Sequence, residues 1–565
     1  MKLIIREYLA SLRERNELDV LLPDLLSQMG LEVFSKPGIG NRQYGVDVAA
    51  FGIIDGTPAK VYLFSIKAGD LGRKDWNSGS LQDLQPSLDE ILSVYIPHHL
   101  PPRYKDAPIE ICICFGGDIK EEVRLNISAY ETTHSTSQIS FSEWGGERLS
   151  GYIEKFFLRE ELLPEKCHRL IRKSLAMIDE PDVSFNHYCK LIKLLSSFEN
   201  TKANETLIAL RQLNICLWIL YVWCREAGNL ESAFLSSERT LLYAWSMSKD
   251  FFDKKDLTSK NIQNIFLNIQ LLKMQISSDL LETKILPHVD KLYALSNAIT
   301  PHSSVDVNLK LFDIAGRIAI DGLWLHWHAI QLVQANEETE EVRKFMEKSQ
   351  LYRKYLKQLI SNNPMLFTPY KDEHAIDISF VSLLFAIDPE SKDDLHRWLL
   401  YIMQQIEYLF HMNGRYPSNL RSYYELLEHP IDDSQEYKQE STQGSILYPI
   451  IALFAALLDY DDVYQLVQKI KSKYLQHSNF QVWYPDETSE KHYYLHDENH
   501  GATLSDVCVE REKSLYLEEI FKECEHSKHY ENLSAVIYQM DPILLIASRH
   551  YRMPVPINFF QGLRK

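Results

Sequence analysis

Gly45-Val46-Asp47-Val48-Ala49-Ala50-Phe51 is followed, after a short polar stretch, by Val61-Tyr62-Leu63-Phe64-Ser65-Ile66-Lys67. Each run has the length and apolar content of a buried β-strand. Asp55-Gly56-Thr57-Pro58 between them has turn chemistry, so the two runs read as neighbouring strands. Asp47 lies inside the first run, and Lys67 closes the second. Burying an ionic side chain at a strand end is costly unless it pairs or holds a metal. Asp47 and Lys67 therefore mark either a chemical centre or an ion pair that only fixes strand register.

Working outward, residues 1–160 alternate helix and strand signals. Leu18, Leu21, Leu22, Leu25, Leu26 and Met29 recur at helical spacing, and Gly30 ends the helix. Leu31 to Phe34 starts a strand, which the loop Lys36-Pro37-Gly38-Ile39-Gly40-Asn41 breaks. A helix is predicted over 81–95, a continuous strand from Pro108 to Phe115, a helix over 119–133 and a short strand from Ile139 to Phe141. This order predicts an α/β domain with helices covering a central sheet.

Beyond about residue 160 strand signals nearly vanish. Apolar residues recur at helical spacing through 205–247, 260–297, 305–334, 341–361, 374–412 and 445–474. Residues 161–565 are thus expected to form a long all-α region, too large for one compact core and suited to a solenoid or several bundles. Ala227-Gly228-Asn229-Leu230-Glu231-Ser232-Ala233 resembles a tetratricopeptide turn, but no second copy follows. The polar segments 427–445 and 484–503 read as long loops.

Composition is that of a soluble globular chain, with 45% apolar and 24% charged residues. The net charge of −18 excludes nucleic-acid binding through the whole surface, and residues 1–160 are themselves acidic. Any such contact must use a local patch, a divalent metal or a partner. The eight cysteines form no CxxC pair, so free thiols in a reducing cytoplasm are expected. The N-terminal MKLIIREYLASLRERNE reaches Arg6 and Glu7 after three apolar residues and is not read as a signal peptide. The apolar runs near 216–224 and 448–458 read as too short to span a bilayer.

The N-terminal region resembles the PD-(D/E)XK, or restriction-endonuclease-like, superfamily, closest to its Mrr-like branch. The resemblance covers about residues 17–155. It rests on Leu18-Asp19-Val20-Leu21 with Leu25, Leu26 and Gly30, then Gly45-Val46-Asp47, then Phe64-Ser65-Ile66-Lys67, then Pro108 to Phe115 and Ile139 to Leu149. Each motif alone is weak; their order is what carries the resemblance. It implies Mg²⁺- or Mn²⁺-dependent phosphodiester hydrolysis, because a hard cation with oxygen ligands neutralises charge and activates water. Asp47 would be the central metal ligand and the Ile66 carbonyl another, and Asp19 would hold a second metal or a metal-bound water. Lys67 would orient water or stabilise developing charge, and Gln82 would support the site. Arg42, Arg73 and Lys74, beside Trp76, would contact phosphates and stack on a base or sugar. The same residues also fit an ordinary polar loop, and Asp19 a solvated helix position.

Ser65 departs from the family pattern, which has Glu, Asp or Gln there. Either the hydroxyl suffices through water, or Asp70 or Asp83 substitutes, or the site is inactive and the fold is a scaffold. The resemblance further implies a cytoplasmic DNA endonuclease effector of a prokaryotic restriction or anti-phage defence system. Such a protein would be homo-oligomeric, with no membrane partner, and switched on by an ATPase or sensor encoded nearby. The alternative is a catalytically degenerate interaction scaffold built on the helical region.

Other motifs carry less. His492, His496 and His500 share four-residue spacing with Asp497 and Glu498 among them, which suits a metal on a helix, but the flanking residues argue for a loop. Trp324-Leu325-His326-Trp327-His328 reads as a packed helix. No Gly-Lys-Ser/Thr phosphate loop, GxSxG or HExxH is present.

Overall fold

The computed structural model describes residues 5–6, 9–10, 12–35, 43–80, 82–156, 165–196, 202–299, 303–334 and 340–564. The predicted loop at 36–41 and Arg42 lie outside them. The chain divides into two units, Met1–Ser236 and Ser237–Lys565.

In the first unit a π-helical turn, Glu14–Leu18, leads into α1 (Asp19–Gln28). A five-stranded sheet follows in the order β1 (Glu32–Ser35), β2 (Val48–Gly52), β3 (Lys60–Lys67), β4 (Ile109–Phe115) and β5 (Ile139–Trp144). Strands β1, β2 and β3 pair antiparallel, whereas β3, β4 and β5 are parallel. The short polar turn after β2 permits a hairpin, but a parallel return needs a crossover. Residues 68–108 supply one through α2 (Arg73–Trp76), α3 (Leu84–Glu90) and the π-helical Ile91–His99. The next crossover is α4 (Glu121–His134), and α5 (Gly146–Phe156) follows β5.

Alternation along each strand sends side chains to two faces. Val61, Leu63, Ile111 and Ile113 pack with Leu84, Leu88, Ile91, Val123 and Ile127 of the crossover helices. The opposite face holds Phe64, whose ring lies edge-on to Trp144 at 4.9 Å, and Trp144 meets Tyr152 of α5 at 5.2 Å. Strand positions match the sequence expectation closely. The helix predicted at 81–95 begins at Leu84 and runs on in π geometry to His99.

Among the described residues, α6 (Glu165–Ala176), α7 (Pro181–Leu195) and α8 (Ala203–Glu226) follow, and the unit ends within the first turns of the helix Glu231–Ser248. Helix α8 corrects one expectation, because it is long and apolar enough to cross a membrane. Arg211, Gln212 and Asn214 break the run in sequence but not in the helix. The apolar window is 89% buried within the fold, so α8 packs as a core helix.

The second unit is mainly helical. Ser304–Gln334 is its long central helix, packed against Glu340–Asn362, Ala375–Ala386 and Pro542–Tyr551. It is not all-α. Gly444–Ser445 pairs with Asn479–Phe480, and Val482–Tyr484 pairs with Ala502–Leu504. The two segments read as loops carry short elements, among them helices Gln435–Ser441 and Ser489–His492. All eight cysteines are free thiols.

Candidate metal centre

Asp47 stands one residue before β2. Its amide donates to the carbonyl of Phe64, the residue already opposite Val48, at 2.8 Å, so the chain leaves the β2–β3 register here in the manner of a bulge. The Ile66 amide donates to Asp47 Oδ2 at 2.7 Å. A strand residue turns its N–H and C=O to the same side. The Ile66 carbonyl therefore faces the Asp47 edge, past the start of β2. Gly45 makes this approach possible. Its φ is +80°, and a Cβ there would lie 2.1 Å from the Ser87 carbonyl oxygen of α3. Lys67 ends β3 beside Phe115 of β4, at the carboxyl ends of two parallel strands, where ligands commonly bind in open α/β sheets.

Lys67 does not pair with Asp47. Its Nζ lies 3.8 Å from Glu14 Oε2, in the π-helical turn, and no ion pair of 4 Å or less joins Lys67 to Asp47. A closed Asp47–Lys67 pair that fixes register is thus not the arrangement adopted. Burial raises the Asp47 carboxyl to about 6, against the partial opposition of the Ile66 amide and Lys67. The nearby charges of Glu14 and Asp19 raise it further. Glu14 and Asp19 thus lie near enough for their charges to act on Asp47, and Lys67 stands beside Glu14.

Ser65 is 1% exposed, and its Oγ finds no hydrogen-bond partner among the described residues. A buried orphan hydroxyl costs free energy unless a ligand meets it. The oxygens on this edge, the Asp47 carboxylate and the Ile66 carbonyl, are hard ligands that suit a cation such as Mg²⁺. Among the described residues no three His, Cys, Asp or Glu side chains converge as a ready metal cage. A cation here would rest on Asp47 and the Ile66 carbonyl, with Glu14 or Asp19 completing its neutralisation.

No family model, curated protein or solved structure matches the chain.

Several expected residues stand elsewhere. Arg73 and Lys74 are exposed on α2, six and seven positions past Lys67, and the Arg73 amide bonds Glu122 Oε1 at 3.1 Å. Trp76 beside them is 6% exposed and edge-on to Tyr130 at 5.7 Å, so it is a core residue and not a stacking platform. Gln82 is exposed in the turn before α3, where its amide donates to Ser80 Oγ at 3.2 Å. The two substitute carboxylates are committed to loops. Asp70 Oδ1 accepts from the Asp118 amide at 2.9 Å, and Asp83 Oδ2 accepts from the Ser78 and Ser80 amides at 2.5 and 3.0 Å.

Glu14 is the site residue that sequence reading missed. Helical periodicity begins at Leu18, so the pattern points to Asp19 and not to Glu14. The π-helical turn before it has no apolar signature of its own, yet it brings a second acid to Lys67. In the second unit, His492 Nδ1 is 2.8 Å from Asp497 Oδ1, which satisfies a buried histidine without a metal.

Proposed function

We propose that the N-terminal unit is a Mg²⁺- or Mn²⁺-dependent nuclease of the restriction-endonuclease-like type, acting on DNA as the effector of a prokaryotic restriction or defence system. The observation that carries the reading is the Asp47 carboxylate bound to the Ile66 amide across the β2–β3 step, with Lys67 one residue beyond. When bound, Mg²⁺ supplies charge neutralisation at the phosphate and an activated water. Asp47 and the Ile66 carbonyl would hold it. Lys67, tethered by Glu14 and not by Asp47, keeps its amine beside the reacting edge to orient water or meet developing charge. Arg73 and Lys74 on exposed α2 offer phosphate contacts on an otherwise acidic chain.

The reading is tested by plasmid cleavage in Mg²⁺ or Mn²⁺, comparing wild type with Asp47→Ala and Lys67→Ala. Both variants are expected to lose at least a hundredfold. Equal cleavage by all three proteins would remove the assignment. A second reading, a silent nuclease-like scaffold whose helical region recruits partners, draws on Ser65, a neutral side chain at the position of an acidic ligand. Absence of cleavage with either metal, together with absence of Mn²⁺ binding, would favour it.

A further inference from the structure

The acidic turn is held by a residue from far along the chain. Glu17 is the fourth of the five residues of the Glu14–Leu18 turn, and its side chain is fully buried. Its carboxylate accepts from the Arg13 amide at 2.8 Å, from Arg13 Nε at 2.7 Å and from Arg225 NH1 at 2.8 Å. Arg225 is 208 positions away, at the C-terminal end of α8. Its guanidinium also lies over the Tyr221 ring, at 5.2 Å. A second arginine of α8, Arg211, donates to Gln28 Oε1 at the far end of α1. The two arginines are fourteen residues apart, roughly 21 Å along the helix. Helix α8 is therefore tied along the turn and α1 at two points.

Placing arginines on so apolar a helix is costly unless they have partners that must be held. The partner at one end sits between the two acids of the centre. Glu14 is three residues before Glu17, and Asp19 is two after. The turn itself packs on β3, and π-helical turns recur at functional sites.

We infer that Arg225 is a positioning residue, which through Glu17 fixes the turn that presents Glu14 and Asp19 to the Asp47–Lys67 edge. The inference rests on the metal-centre reading above. Its consequence is that metal affinity depends on a side chain of α8 that touches neither metal nor substrate. Substituting Arg225 removes no ligand but lets the acids drift.

The test is Mn²⁺ binding to the full chain, followed by electron paramagnetic resonance and calorimetry, with the Mn²⁺ dependence of plasmid cleavage measured in parallel. Wild type is expected to bind Mn²⁺ at a site lost in Asp47→Ala. Arg225→Gln is expected to weaken that binding about tenfold, while cleavage at saturating Mn²⁺ stays within about twofold. Glu17→Gln should match it, and Arg225→Lys should recover part of the loss. Arg211→Gln serves as the control for loosening α8. It should lower the melting temperature but leave Mn²⁺ affinity within twofold. If Arg225→Gln does not fold, Glu17→Gln and Arg225→Lys still read the affinity. Unchanged affinity in the Arg225 and Glu17 variants overturns the inference and leaves the nuclease reading intact. Failure of wild type to bind Mn²⁺ at an Asp47-dependent site overturns both.

Discussion

Asp47 is a carboxylate placed where ionisation costs energy. Its carboxyl titrates near 6 in the fold, against 3.8 ordinarily, chiefly because burial disfavours the charge. Between those values the folded chain keeps a proton that the unfolded chain has released, so stability falls as pH rises from 3.8 to 6 and is level above. Asp47→Asn keeps an acceptor for the Ile66 amide and removes the charge. It is expected to stabilise the metal-free protein at pH 8 by on the order of 2 kcal/mol, with the gain gone near pH 4. Urea midpoints at the two pH values check this, and the same variant should not cleave. Metal must displace that proton, so Mn²⁺ affinity should fall about tenfold per pH unit below about 6. Ser65 makes the complementary case. Ser65→Asp buries a second carboxylate near the Asp47 end of β3, so the metal-free protein should melt at a lower temperature and Mg²⁺ should restore it. A melting temperature indifferent to Mg²⁺ would argue that no cation sits between these strands.

The element that sets the geometry is the approach to β2. Gly45 and Gly79 both have positive φ, +80° and +100°, but only Gly45 is crowded, by the Ser87 backbone. Gly79→Ala should cost about 1 kcal/mol from the dihedral alone. Gly45→Ala must also push α3 away from β2, and should cost about 2 kcal/mol or more and disable the centre. Paired denaturation curves of the two variants separate dihedral strain from the steric term. The strands around this approach were legible because continuous apolar runs and the Asp55–Pro58 turn chemistry agree. So was the helical character of residues beyond 160, from apolar periodicity. The π-helical turn was not, since five residues of mixed polarity carry no period. Nor was the burial of Trp76, because whether an aromatic beside Arg73 and Lys74 faces water depends on Tyr130, 54 positions on. The two-residue strands at 444–445 and 479–480 are too short to alternate.

In the molecule as a whole, each unit commits buried charge in its own way. The first uses Arg225 and Glu17 to hold an acidic turn, a contact no local pattern could reveal. The second closes its helices with a larger network. Arg549 grips both oxygens of Glu238 at 3.0 and 2.9 Å and reaches Asp313 at 3.0 Å, while Arg552 grips Asp377 at 3.1 and 2.8 Å. A cavity of about 180 Å³ is lined by Asp313, Lys371, Glu373, Asp377, Arg549 and Arg552. Opposite charges balance around it, and these arginines are already engaged, so the network reads as a staple of the helical core. Burial works to raise the Glu238 carboxyl, but Arg549 and His550 overcome it and hold the group below its ordinary range. A depressed carboxyl contributes stability that is present above the unfolded value of 4.5 and is lost as pH falls below it. Arg549→Met leaves Glu238 buried without its arginine and with His550 alone beside it, at a cost of about 3 kcal/mol. Adding Glu238→Gln removes the stranded charge, so the double variant should regain much of that loss near neutral pH. The single variant should lose less at pH 4, where Glu238 can take up a proton. Urea denaturation of wild type and the three variants at pH 7 and pH 4 measures the coupling. Additive losses at both pH values would mean that the pair is not the staple its geometry implies.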